Sequence, residues 1–248
     1  MAIFELFRQD MGTRAYRAHV KANRLNDSGK LAEAEAQYAK ALGMYEEAEK
    51  KGFTTSRIVT GYCVLLMRQK HFAKAAPMLA EMCGDPNIKE EDKYLLKIDH
   101  AVCIWKLGDT EGALKEMQAL SSRKIGLYYN VMSAILVRKG RDTGDFSEAT
   151  DFCAKAIEYD DDDIICINAM AWLKYYTGDI DAAKEWFKKA VKQNERYAPA
   201  LVGLAFICKD DGNVEKAREL IDRALAVHYP TTTPVFREEA EEFKKQIG

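Results

Sequence analysis

Small and large apolar residues recur along this chain with the spacing of paired helices. Six positions punctuate the pattern: Gly29, Lys70, Gly108, Gly144, Gly178 and Gly212. Five residues beyond each stands alanine, at Ala34, Ala75, Ala113, Ala149, Ala183 and Ala217. Nine beyond stand Tyr38, Leu79, Met117, Cys153, Phe187 and Ile221, and twelve beyond stand Ala41, Met82, Leu120, Ala156, Ala190 and Ala224. Those offsets differ by four and three, so the three positions share one helical face. Seven residues upstream of the punctuation lie Ala22, Cys63, Ala101, Ala171 and Ala205. The fourth unit fits if Gly140 is its turn glycine, which places Ser133 there and makes Arg141–Gly144 a loop insertion. Small residues on both helices let two backbones approach, and glycine between them ends the first helix in the left-handed conformation. The pattern predicts six antiparallel helical hairpins, an all-α chain.

From Gly144 to Gly178 and from Gly178 to Gly212 the step is 34 residues, while the three earlier steps are 41, 38 and 36. The seven extra residues of the first step are about two helical turns. They extend one stripe: Leu31, Ala34, Tyr38, Ala41, Leu42, Tyr45 and Ala48. The second step's excess falls in Cys83–Asp92, which contains Gly, Pro and Asn. With this period and this small–Gly–Ala–aromatic–Ala order, residues 14–228 resemble the tetratricopeptide repeat (TPR) family. GDIDAAKEWFKKAV and GNVEKARELIDRAL are similar to its second helices. The resemblance implies a right-handed superhelical solenoid of six hairpins, with turns near 29, 70, 108, 140–144, 178 and 212.

Solenoid ends need covers for their apolar faces. Residues 229–248 read as a capping helix: Pro234 is a favoured first helical residue, and Phe236, Ala240, Phe243 and Ile247 form a stripe with a charged back. At the other end residues 1–13 carry Ile3, Phe4, Leu6 and Phe7, which are expected to pack on the first hairpin.

The family resemblance implies that first helices line a concave groove holding a peptide. Positions ten, six and three before each turn share one helical face, away from the small packing position. In the first repeat they are polar: His19, Asn23 and Asn26. Beyond it they supply a candidate peptide-binding strip of Val64, Met67, Ile98, Val102, Trp105, Asn130, Ala134, Asn168, Trp172, Tyr175, Val202 and Phe206. An aromatic and aliphatic strip of this kind suits an apolar or aromatic segment of another protein. Asn130 and Asn168 are expected to hydrogen-bond its backbone. The family's carboxylate clamp for chaperone C-termini is not expected: Asn23 matches it, but His19, Gly61, Leu95 and Asp99 stand where lysine, asparagine and basic residues are needed.

Composition narrows the function further. In 248 residues, 37 basic and 39 acidic side chains leave a net charge of −2, which supplies no field for nucleic acid or an anionic membrane. No apolar run reaches the roughly 18 residues of a membrane span, and the first residues do not read as a secretion signal. Six cysteines without a CxxC pair fit a reducing cytoplasm, with Cys83 the thiol expected to be most exposed. The four histidines lie in separate repeats without metal-type spacing, and Asp160–Asp163 reads as a helix cap in place of a calcium loop. No catalytic motif and no cofactor fingerprint occur. The expectation is therefore a non-catalytic adaptor or scaffold without metal or cofactor. Two alternatives stay open: a self-associating assembly protein, and a regulatory module whose own C-terminal helix fills the groove.

Overall fold

The computed structural model describes residues 2–53 and 55–248, with side chains from Met11 onward. Among the described residues all regular structure is helical, in thirteen helices. The chain divides into two compact units, Met1–Asp109 and Thr110–Gly248. Unit 1 holds α1 (Ala2–Asp27), α2 (Leu31–Lys50), α3 (Ser56–Arg68), α4 (Phe72–Gly84) and α5 (Glu90–Lys106). Unit 2 holds α6 (Thr110–Ala119), α7 (Gly126–Thr143), α8 (Ser147–Tyr159), α9 (Ile164–Tyr176), α10 (Ile180–Gln193), α11 (Ala198–Asp210), α12 (Val214–Leu225) and α13 (Arg237–Ile247). The expected packing of Ile3, Phe4, Leu6 and Phe7 lies outside the described side chains.

The turns form where the pattern placed them. All six punctuating residues have left-handed φ, from 63° at Lys70 to 101° at Gly108. Two turns show how one residue serves both helices. After α9 the Gly178 N–H donates to the Tyr175 carbonyl and the Asp179 N–H to that of Lys174, closing the helix end. The Asp179 carboxylate then accepts from the Ala182 N–H and opens α10. Gly212 and Asn213 repeat the arrangement between α11 and α12. Asp163 caps α9 by accepting from the N–H groups of Ile165 at 2.8 Å and Cys166 at 3.1 Å.

Two element boundaries differ from expectation. Arg141–Gly144 is not a loop insertion: α7 stays helical to Thr143, and Gly144 is the left-handed residue that stops it. Gly140 is a helix-interior glycine for a packing reason, since a Cβ there would lie 2.5 Å from the Phe146 ring. The C-terminal helix begins at Arg237, with Phe236 as its cap, so Pro234 belongs to the lead-in. The helix-favouring ring of Pro234 is overridden by tertiary contacts described below.

Each unit stacks two layers. In unit 1, α3 contacts α1 and α5, while α2 and α4 back them. In unit 2, α7, α9 and α11 adjoin one another and α8, α10 and α12 form the second layer, with α13 packed on α12. Every alanine five beyond a turn is buried, as are all six side chains nine beyond and all six twelve beyond. The small residues at Ala22, Cys63, Ala101, Ser133, Ala171 and Ala205 are fully buried, which is what close helix pairing needs.

Candidate peptide-binding face

The twelve residues of the expected strip fall into two sets. In unit 1 Val64 on α3 is exposed, while Met67 on α3 and Ile98, Val102 and Trp105 on α5 are buried. The polar positions of the first repeat are also engaged. His19 is buried between Tyr38 and Tyr45, with ring centroids 5.9 and 6.2 Å away, and burial followed by nearby Arg68 lowers its pKa. Asn23 accepts from the Tyr38 hydroxyl at 2.7 Å and Asn26 from Arg68 at 3.4 Å. Asp99, at a clamp position, is pushed up to about 6 by burial.

In unit 2, Asn130, Ala134, Asn168, Trp172 and Val202 are buried, whereas Tyr175 and Phe206 are half-buried. Trp172 is the centre of this set. Its ring lies 5.6 Å from Tyr175, 5.6 Å from Phe206, 5.4 Å from Tyr176 and 5.1 Å from Phe187. Three of these contacts are edge-to-face and that with Tyr176 is stacked, and together they hold the rings in one arrangement. Burial, then the hydrogen bond its hydroxyl donates to Asp210 at 2.9 Å, raises the pKa of Tyr175. Asn130 is held by Asp163 at 3.2 Å and accepts from the Cys166 thiol at 3.1 Å. Asn168, by contrast, is fully buried and neither its oxygen nor its nitrogen finds a hydrogen-bond partner among the described residues.

The chain's own C-terminal segment also packs against this set, at Phe206. Phe243 on α13 rests on Phe206 at 4.2 Å between centroids. Ahead of it the Pro234 carbonyl accepts from Arg138 at 3.3 Å, and the Arg138 guanidinium lies 4.2 Å above the Phe236 ring. Glu239 pairs with both Arg138 and Arg141. Tyr229 is buried and donates to the Val235 carbonyl at 3.1 Å, fixing the bend that brings the segment back. Since Arg138 is on α7 and Phe206 on α11, residues 234–243 reach across the layer of α7, α9 and α11, the inner layer of unit 2. The expectation of an open strip is corrected accordingly: nine of its twelve residues are buried, because neighbouring first helices pack side by side.

Arg138 and Arg141 were not singled out from the sequence, and the cause is a register error. Counting ten, six and three back from Gly140 selects Asn130, Ala134 and Val137. Counting from Gly144, the residue with left-handed φ, selects Ala134, Arg138 and Arg141. The arginines occupy the positions that the rule reserves for the groove. The signal was present, but Gly140 and Gly144 compete for the turn, and only packing against Phe146 distinguishes them.

Thiols offer no reactive centre in this region. Cys153 and Cys166 are buried and pushed up to about 12 by burial, as are Cys63 and Cys103 in unit 1. Cys83 and Cys208 are partly exposed.

Helical hairpins of small-residue contacts, stacked in two layers, define a helical-repeat protein. Its sequence carries two tetratricopeptide repeat matches, over residues 14–52 and 175–230. Those two segments are tetratricopeptide repeats by these matches, and the rest of the chain shares their helical-repeat fold. The chain is similar in fold to a tetratricopeptide repeat protein from Parabacteroides merdae, with 14% identity and a TM-score of 0.51, covering 94% of this chain and 99% of that one. More distant likenesses are the TPR2AB domain of yeast Sti1, solved in complex with pHSP90 (14% identity, 95% and 97% covered, TM-score 0.35), and YrrB, a TPR protein with an unusual peptide-binding site (16% identity, 90% and 88% covered, TM-score 0.30). No curated protein matches the sequence.

Proposed function

We propose that this chain is a non-catalytic protein-interaction module, an adaptor or scaffold that holds a peptide segment of a partner on the inner layer of unit 2. Its TPR fold supports interaction in general. One observation carries the finer reading: that layer already grips a non-repeat segment, the chain's own residues 234–243, through aromatic, main-chain and carboxylate contacts. A surface that holds one peptide by these contacts has the chemistry to hold another. The partner segment is apolar or aromatic, and the setting is the cytoplasm. No helix among the described residues is long and apolar enough to cross a membrane.

The choice of test residue follows from burial. Trp172 is fully buried, so truncating it costs roughly 3–5 kcal/mol of packing and confounds stability with binding. Tyr175→Ala is cleaner, because its side chain is half-buried at the edge of the cluster. Affinity capture from a native lysate should lose its specific partner with Tyr175→Ala while the helical circular dichroism is unchanged. Undiminished capture discards the inner layer of unit 2 as the site. Of the alternatives, the self-filled groove is favoured by the contacts of Glu239 with Arg138 and Arg141.

A further inference from the structure

The C-terminal segment shows in detail what the inner layer of unit 2 recognises. Four contacts fall along it at fixed spacing. The Pro234 carbonyl takes a hydrogen bond from Arg138. Two residues on, the Phe236 ring lies beneath the same guanidinium. Three further, the Glu239 carboxylate meets Arg138 and Arg141 together. Four further still, Phe243 packs on Phe206. Glu239 does a second thing: its Oε2 accepts from the Phe236 N–H at 2.8 Å, so the carboxylate that docks the segment also starts its helix. Recognition and folding of the segment are thus coupled through one side chain.

The same geometry makes the segment releasable. Its anchoring charges are partly solvent-exposed, with side-chain exposures of 16% for Arg138, 26% for Arg141 and 29% for Glu239. Both arginines have a second carboxylate on their own helix: Asp142 lies 3.3 Å from Arg138 and 2.9 Å from Arg141. When Glu239 leaves, neither guanidinium is stranded without an anion, which removes the usual penalty for opening a partly buried ion pair. The chain between α12 and α13, residues 226–236, is non-helical and long enough to act as a tether.

We propose that residues 234–243 are an internal stand-in for the partner. The partner is a protein segment bearing an aromatic residue, a glutamate three positions later and a second aromatic seven positions later, which folds into a helix as it displaces α13. This rests on the proposed peptide-binding role of the inner layer and specifies its ligand and its regulation. The tethered segment competes at high local concentration, so the closed chain holds a free ligand weakly. The carboxylate is the key because a single side-chain group contributes both to docking and to helix initiation.

Two readouts on the full chain separate this inference from the reading beneath it. The probe is a fluorescein-labelled synthetic peptide of residues 230–248, read by anisotropy against the wild-type chain and Glu239→Gln. Hydrogen exchange of α13 in the same two chains, without peptide, reads the latch alone. Glu239→Gln should exchange α13 amides roughly tenfold faster and bind the peptide roughly tenfold more tightly, the effect of losing one charge-assisted contact. A peptide with the same Gln at its Glu239 position should lose that gain. Arg141→Gln, altering the other side of the contact, should open α13 in the same way. If α13 exchanges at the wild-type rate in both variants, the latch is refuted. Faster exchange of α13 without any peptide binding instead refutes the inner layer as a peptide site.

Discussion

Gly203 on α11 is the most exacting test of how unit 2 is packed. A Cβ at this position would lie 2.1, 2.3 and 2.4 Å from three atoms of the Phe187 ring. Ordinary contact begins near 3.4 Å, so the ring must move by more than 1 Å. It has nowhere to go: Phe187 is fully buried and stands 5.1 Å from Trp172, which in turn supports Tyr175 and Phe206. Two effects of Gly203→Ala oppose each other. Alanine gains about 1 kcal/mol of helix propensity, and overpacking a core costs about 1–3 kcal/mol. A ring displacement of this size belongs at the upper end, leaving a net loss of about 2 kcal/mol. For a unit of this length that is a fall in melting temperature of roughly 4–8 °C. Gly43→Ala in α2 isolates the propensity effect, because Gly43 is exposed and nothing lies within 4 Å of the added Cβ. It should stabilise its own unit by up to about 1 kcal/mol. Thermal unfolding followed by circular dichroism and by tryptophan fluorescence checks both. If Gly203→Ala proves neutral or stabilising, like Gly43→Ala, the stacking of α10 on α11 described here is wrong.

Three further outcomes are expected. Lys70→Gly should stabilise unit 1 by about 0.5–1 kcal/mol, since Lys70 holds a φ of 63° that costs an L-residue about 1–2 kcal/mol, less the extra freedom glycine gives the unfolded chain; a denaturation midpoint that falls contradicts this. Asp163→Ala should destabilise unit 2 by about 1–2 kcal/mol in urea unfolding, because it removes both capping bonds of α9 and a contact to Asn130. Burial pushes Asp99 up to about 6 from 3.8, so its folded form favours the neutral acid. The stability this lends is complete below 3.8 and lost as pH rises through about 6. Asp99→Asn should therefore raise the stability of unit 1 near pH 7 and leave it unchanged near pH 3.5, as read by urea midpoints across that range; equal midpoints at pH 7 refute the burial effect.

The repeat architecture was legible in the sequence because it is local. Helix periodicity, a residue able to take left-handed φ and small residues at fixed offsets are properties of neighbouring positions, and eighteen second-helix positions read this way are all buried. Asp163 as a cap was legible for the same reason: the acceptor and the N–H groups it serves are two and three residues apart. Even the register of the arginines was encoded, through Gly144. Sequence could not choose between Gly144 and Gly140, however, since that choice rests on the Phe146 ring filling the space beside Gly140.

What occupies the inner layer of unit 2 was decided only in three dimensions. Arg138 and Glu239 are 101 residues apart, and no periodicity links them. Whether an amphipathic C-terminal helix merely caps the last hairpin or sends its lead-in back across the array depends on the Tyr229–Val235 bend and on arginines waiting at the far end of α7. Amphipathicity tells which face of a helix is covered; only the path of the chain tells what covers it.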